Sequence, residues 1–308
     1  MTRSSLIIAT RESPLALWQA NWVKTRLEHF HPHLKITLLG LTTSGDQRAG
    51  VLLSEVSGKS LFVKELEEAL LEGRADIAVH SMKDVPMELP WGLCLPVMCE
   101  REDPRDALVS NHYTSLDNLP AQARVGTSSL RRQSQLYAVR PDIDVKGLHG
   151  NVNTRLACLD RGEFAAIILA AAGLRRLNLQ NRISSYLAPE QSLPAAGQGV
   201  LGIECRMDDT ELHSLLGPLH HVESSLCVVA ERAMCRYLGG GCHVPVAAYA
   251  TMIEKKILLR GLVAHPDGTL LLRAEQIGER DGAAALGIAV AKDLVQQGAE
   301  IILSHLRK

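Results

Sequence analysis

Cys242 follows three consecutive glycines, Gly239-Gly240-Gly241. Glycine removes the side chains that would keep another group away from the thiol, so this is the one cysteine placed for chemistry. A free cysteine is more often a small buried hydrophobe, and Cys94, Cys99, Cys158, Cys205, Cys227 and Cys235 are read that way. A zinc reading would draw on Cys235, Cys242 and His243 with His220 and His221. No C-x-x-C pair supports it, and no metal is expected.

Asp84 stands beside Lys83 and before Val85-Pro86. A loop carboxylate is ordinarily a turn residue or an ion-pair partner. Among cations it can instead stabilise positive charge that develops on a substrate. Cations and small hydroxyls also gather in Thr10-Arg11-Glu12-Ser13, Ser81-Met82-Lys83-Asp84, Gly126-Thr127-Ser128-Ser129-Leu130-Arg131-Arg132, Gly150-Asn151-Val152-Asn153-Thr154-Arg155 and Ala171-Ala172-Gly173-Leu174-Arg175-Arg176. Backbone N–H groups at a helix start attract anions, and arginine adds bidentate pairing with carboxylates. One Arg-Arg pair alone would be a solvated first turn. Arginines at a helix start oppose the macrodipole, and their repetition points to a ligand with several carboxylates.

These runs fall where strands hand over to helices, the usual ligand position in open α/β sheets. Leu6–Ala9 reads as a buried strand, and Ser13-Pro14 offers an N-cap with proline at the first helical position. Ala16, Ala20, Val23, Leu27 and Phe30 then form one apolar helix face. Lys35–Leu41 predicts a strand, Leu61–Glu72 a helix and Asp76–His80 a strand, an order that implies a parallel sheet flanked by helices. The charged stretch Glu100–Asp106, broken by Pro104, reads as a hinge. A similar pattern follows: a helix over Ser128–Val139, a strand near Val145, a helix from Asn153 and a strand over Ala166–Ala170. From Val222 a helix leads to strands at Val244–Ile253, Lys256–Ala264 and Thr269–Ile277 and a last helix over Gly282–Leu306. The polar stretch Ser44–Gly58 suits either a plain surface loop or a lid.

At 308 residues, two or three domains are expected. Apolar residues at 46% and charged residues at 22% are the mix of a globular protein. A net charge of -1 gives no bulk attraction to nucleic acid, and no apolar run is long enough to span a bilayer. Seven scattered cysteines without an export signal are expected to be reduced thiols in the cytosol.

Ile8–Ala16, Ala78–Pro86, Gly126–Arg132, Gly150–Val152, Thr154–Leu156, Leu193–Ala195, Gly197–Gly199 and Gly241–Pro245 resemble, in order, the motifs of the hydroxymethylbilane synthase (porphobilinogen deaminase) family. The resemblance implies two periplasmic-binding-protein-like α/β domains, 1–99 with 199–217 and 105–193, with the active site in the cleft between them. It adds a smaller C-terminal α+β domain, 222–308. It implies a dipyrromethane cofactor joined by a thioether to Cys242, and Asp84 as the catalytic aspartate that assists loss of ammonia. Arg11, Ser13, Lys83, Thr127, Ser129, Arg131, Arg132, Arg155 and Arg176 match positions that hold cofactor and substrate carboxylates. Ser81, Asn151 and Gln198 complete the binding set, and Gln19, Lys59 and His149 are further candidates. The implied reaction joins four porphobilinogen molecules head to tail and releases hydroxymethylbilane by hydrolysis. The implied partner is that small molecule, with no nucleic acid and no membrane, for a cytoplasmic monomer.

Each porphobilinogen carries an acetate and a propionate, so a growing product needs many cations. The chain departs from the family pattern at His149, where arginine is usual, at Glu55, often lysine, and at Ser57 and Ser60, usually glycine. Two other readings start from the same residues: a binding module without catalysis, and a thiol-dependent transferase with another acidic substrate. The Gly-Gly-Gly-Cys element favours covalent chemistry over binding alone.

Overall fold

The computed structural model describes residues 3–47, 63–241 and 244–306. In chain order the elements begin with β1 (Ser5–Arg11), α1 (Pro14–Phe30), β2 (Lys35–Leu41), α2 (Ser44–Gln47), α3 (Lys64–Leu71), β3 (Ile77–Ser81), β4 (Leu93–Met98) and β5 (Asp106–Val109). Then come β6 (Arg124–Gly126), α4 (Leu130–Val139), β7 (Asp144–Lys146), α5 (Val152–Asp160), β8 (Ala166–Ala170), α6 (Ala171–Arg176), β9 (Ser185–Leu187) and β10 (Leu201–Arg206). The last are α7 (Thr210–Leu216), α8 (Val222–Tyr237), β11 (Val246–Ile253), β12 (Lys256–Ala264), β13 (Leu271–Glu279), α9 (Ala283–Gln296) and α10 (Ala299–Leu306).

The chain forms two compact units, one of residues 1–101 with 200–225, the other of 102–199 with 226–308. The first holds a five-stranded sheet in the order β2-β1-β3-β10-β4. β1, β2 and β3 are parallel, and β10 runs antiparallel to both its neighbours. Alternation along β1 and β3 sends Leu6, Ile8, Ile77 and Val79 to one core and Ala9 and Ala78 to another. α1 covers the first face with Ala20, Val23 and Leu27, and α3 covers the second with Leu66, Ala69 and Leu70. Phe30 corrects the expected apolar face: it is 40% exposed, with the Arg26 guanidinium 5.7 Å from its ring centre. It ends the helix beyond the sheet, where a cation covers the ring instead of the core.

The second unit carries a five-stranded sheet in the order β7-β6-β8-β5-β9 and a three-stranded sheet, β11-β12-β13. β6, β7 and β8 are parallel, while β5 runs antiparallel to β8 and β9. The small sheet is an antiparallel meander. The single helix expected over Gly282–Leu306 is two, α9 and α10, because Gly298 sits at φ +102°, the left-handed conformation that ends a helix. The fold is thus α/β in two sheet-rich parts, with a smaller C-terminal sheet-and-helix part.

Candidate active site

In the first unit the parallel strands bring their C-terminal residues Arg11 and Ser81 to one sheet edge. Ser13 caps α1 by accepting from the Ala16 N–H at 3.4 Å, and buried Thr10 donates to the Ala16 carbonyl at 3.1 Å. The chain therefore leaves β1 in one fixed direction, which aims Arg11. β3 runs into a tight turn, Met82–Asp84, in which Met82 is buried, Lys83 half-buried and Asp84 exposed. Gln19, buried on α1, donates its amide to Ser81 Oγ at 2.8 Å. Arg11, Ser13, Gln19, His80, Ser81 and Asp84 line one cleft.

A buried acid cluster adjoins that cleft. His80 Nε2 lies 2.9 Å from Glu204 Oε2, both side chains almost fully buried, at ion-pair distance but out of line for a hydrogen bond. Burial first, and then the Glu204 charge, push the Glu67 carboxyl up to about 7, with His80 opposing. One Glu67 oxygen has no hydrogen-bond partner among the described residues. Sequence reasoning missed this trio, because its members come from α3, β3 and β10 and none stands in a recognisable spacing.

In the second unit, β5 places Asp106 opposite Ala170, at the edge where β6, β7 and β8 end. The boundary between the two units, at 101/102, falls within the Glu100–Asp106 stretch read as a hinge, but its last residue, Asp106, is wholly buried at the start of β5. It accepts from Arg131 Nη1 at 2.8 Å, Arg132 Nη2 at 2.7 Å, Ser192 Oγ at 2.9 Å and Gln198 Nε2 at 3.0 Å. Burial alone would raise its carboxyl, but the two guanidiniums hold it far below the usual carboxylate range. Arg131 also donates to the Leu193 carbonyl at 2.7 Å, and Arg132 to that of Ile168 at 3.0 Å. Arg131, Arg132 and Gln198 are thus together, gathered on an acid that the sequence had not singled out. Two guanidiniums against one carboxylate leave one positive charge.

The neighbouring junctions are pinned by side chains. Thr127 is buried, and its hydroxyl accepts from the Ser129 N–H at 3.2 Å. Ser129 is the N-cap residue of α4 but makes no side-chain cap bond. Ser128 Oγ accepts from the Leu148 N–H at 2.9 Å and lies 3.0 Å from His149 Nε2. Burial, and then the Arg155 charge, push His149 below its ordinary value. Asn151 caps α5 by accepting from the Thr154 N–H at 2.9 Å. Arg155 Nε donates to the Gly150 carbonyl at 2.8 Å, and buried Arg176 donates to that of Gly199 at 2.6 Å. Lys59 and Cys242, with Glu55, Ser57, Ser60 and His243, lie outside the described residues.

No helix of the described residues is long and apolar enough to cross a membrane. Among solved structures the chain is similar to the methionine binding protein MetQ at 11% identity and a TM-score of 0.46, over 73% of this chain and 95% of that one. It is also similar to the periplasmic aliphatic sulphonate binding protein SsuA from Escherichia coli, at 13% identity and 0.42, over 76% and 70%. Likeness this distant says nothing of what the chain binds. Residues 6–214 match the family model "porphobilinogen deaminase, dipyromethane cofactor binding domain", and residues 225–296 match "porphobilinogen deaminase, C-terminal domain". With both models matched over nearly its whole length, the chain belongs to the porphobilinogen deaminase family, the transferases that make hydroxymethylbilane on a dipyrromethane cofactor.

Proposed function

We propose that Asp84 is the catalytic carboxylate of this transferase and that Cys242 carries its cofactor. The observation that supports this most is one cleft shared by an exposed carboxylate, Asp84, with Arg11, Ser13 and Ser81.

The donors fit a dipyrromethane bearing acetates and propionates. Arg131, Arg132 and Asp106 leave a buried positive charge, and the first turn of α4 has no acidic residue and no side-chain cap. When bound, the dipyrromethane supplies an electron-rich pyrrole carbon. Arg11 and Lys83 bind substrate carboxylates through charge-assisted contacts. Gln19 donates to Ser81 Oγ, which holds that hydroxyl in place in the lining of the cleft. When the substrate loses ammonia, its ring becomes an electron-poor methylene-pyrrole. Asp84 stabilises that developing cation electrostatically. Thr127, Ser129, Asn151, Arg155, Arg176 and Gln198 bind or position carboxylates at the edge of the second sheet, with His149 as a further contact there, and Lys59 is a further carboxylate-binding candidate.

The same reading takes 1–99 with 199–217, 105–193 and 222–308 as three domains, which agrees with three separate sheets. It takes the protein as a cytoplasmic monomer whose partner is porphobilinogen. Intact mass is the test. Purified protein should carry an excess equal to two pyrrole units, absent from Cys242→Ser, and an unmodified Cys242 in active enzyme would overturn the assignment.

A further inference from the structure

Cys94, Cys205 and His213 meet in the first unit although they are scattered along the chain. Cys94 on β4 and Cys205 on β10 are direct cross-strand partners, and their sulfurs lie 4.0 Å apart. His213 comes from α7, and its Nε2 lies 3.5 Å from Cys94 Sγ. All three ligand atoms fall within 4.8 Å of one another. Cys205 is fully buried, while Cys94 and His213 are half-buried.

The two separations that involve Cys94 are close to those of a coordination polyhedron. Zinc–sulfur bonds of about 2.3 Å and zinc–nitrogen bonds of about 2.0–2.1 Å at tetrahedral angles put two sulfurs about 3.8 Å apart and a sulfur and a nitrogen about 3.5 Å apart. The two pairs that share Cys94 need movements of at most a few tenths of an ångström, while the Cys205 sulfur and the His213 nitrogen, within 4.8 Å of each other, close by up to about 1.3 Å. Two cysteines and a histidine are a set that suits a thiophilic divalent ion. Two thiolates also balance its charge, so the buried site carries no net cost of an unpaired cation.

We infer that Cys94, Cys205 and His213 form a zinc(II) site that clamps β4, β10 and α7 together, separate from the transferase chemistry. Binding forms two sulfur–zinc bonds and one nitrogen–zinc bond, and each thiol passes its proton to solvent. Burial raises both thiols, so the ion and not the protein's own field drives that deprotonation. His213 Nε2 also lies 3.1 Å from the Arg206 carbonyl, and coordination trades that contact for a metal bond. The half-exposed side toward Cys94 and His213 admits water as the fourth ligand.

The test uses reduced full-length protein with its cofactor in place, titrated with cobalt(II) as a spectroscopic probe and then with zinc(II). The parent should take up one equivalent of cobalt, with the intense visible bands of a tetrahedral thiolate site, and zinc should displace it. Zinc should also raise the melting temperature. Cys94→Ser and His213→Gln should lose the bands, bind zinc at least tenfold more weakly and show no melting shift. Cys158→Ser should match the parent, and porphobilinogen turnover confirms that each variant is folded. No cobalt spectrum in the parent overturns the inference, as does equal zinc uptake by parent and Cys94→Ser. A Cys94–Cys205 disulfide in air-handled protein that still fails to bind cobalt after reduction overturns it too.

Discussion

Arg132 holds Asp106 with two nitrogens on one oxygen, Nε at 3.0 Å and Nη2 at 2.7 Å from Oδ1. Arg131 takes the other oxygen at 2.8 Å. Breaking a buried pair by removing one partner costs about 3–5 kcal/mol, because the remaining charge is left without compensation. Asp106→Asn should therefore lose stability of that order, read as a lower denaturant midpoint. An unfolding free energy within about 1 kcal/mol of the parent would show that the arginines are held by other groups. Because the Asp106 pKa is depressed, the stability it contributes is present above its unfolded value and is lost only in strong acid. Arg131→Leu and Arg132→Leu should weaken folding as well as ligand binding, so their activities need to be read beside their melting curves.

Asp84 should show the opposite pattern. It is exposed, and the turn that carries it is anchored by buried Met82. Asp84→Ala should melt with the parent, while turnover falls by at least the roughly 10²–10⁴ typical of a catalytic acid or base. Near-normal turnover would remove Asp84 from the mechanism.

At His149 the structure sharpens the pH argument. Burial and Arg155 lower its pKa, so it is largely neutral at and above neutral pH. A charge-assisted contact is worth about 1.5–3 kcal/mol, so His149→Arg should bind porphobilinogen roughly tenfold more tightly. The gain should be level between about pH 7 and 8 and shrink only below about 6.5, as the parent histidine gains its own proton. KM measured across that range is the check. A pH-independent rise in KM would mean that packing against Ser128 governs the position.

Glu67 ties stability to pH in the other direction. Its carboxyl is raised to about 7, so its favourable contribution is present below the unfolded value of 4.5 and is lost as pH rises through about 7. Glu67→Gln should leave stability near that of the parent at about pH 5 and add about 1–3 kcal/mol at about pH 8, by denaturant titration at each pH. Equal effects at both values would mean that Glu67 is charged throughout.

Local signals were legible where they are dense. Ser13-Pro14 starts α1, the apolar run Ala166–Ala170 is β8, and the cation-rich motifs do stand at strand ends. Family membership, expected from those motifs, is borne out by the matches over 6–214 and 225–296. Groups assembled from distant segments were not legible. Asp106 sits in a charged run that looks solvated, and only strand pairing with β8 shows it buried. Glu67, His80 and Glu204, and likewise Cys94, Cys205 and His213, have no common spacing because strand pairing and the helices α3 and α7 packed on the sheet bring them together. The helix break at Gly298 was overlooked because one glycine is tolerated within a helical pattern.

The place of β10 between β3 and β4 sets an order of events during synthesis. β3 and β4 do not pair with each other, and the strand that bridges them is made only after the intervening 102–199 segment. A nascent chain that ends before Leu201 therefore exposes two unsatisfied strand edges, a template for wrong partners. The first unit closes late, although most of its residues leave the ribosome first, and such long-range pairing is slow. Truncations within 102–199 lose more than the missing residues: they leave the N-terminal sheet open and aggregation-prone.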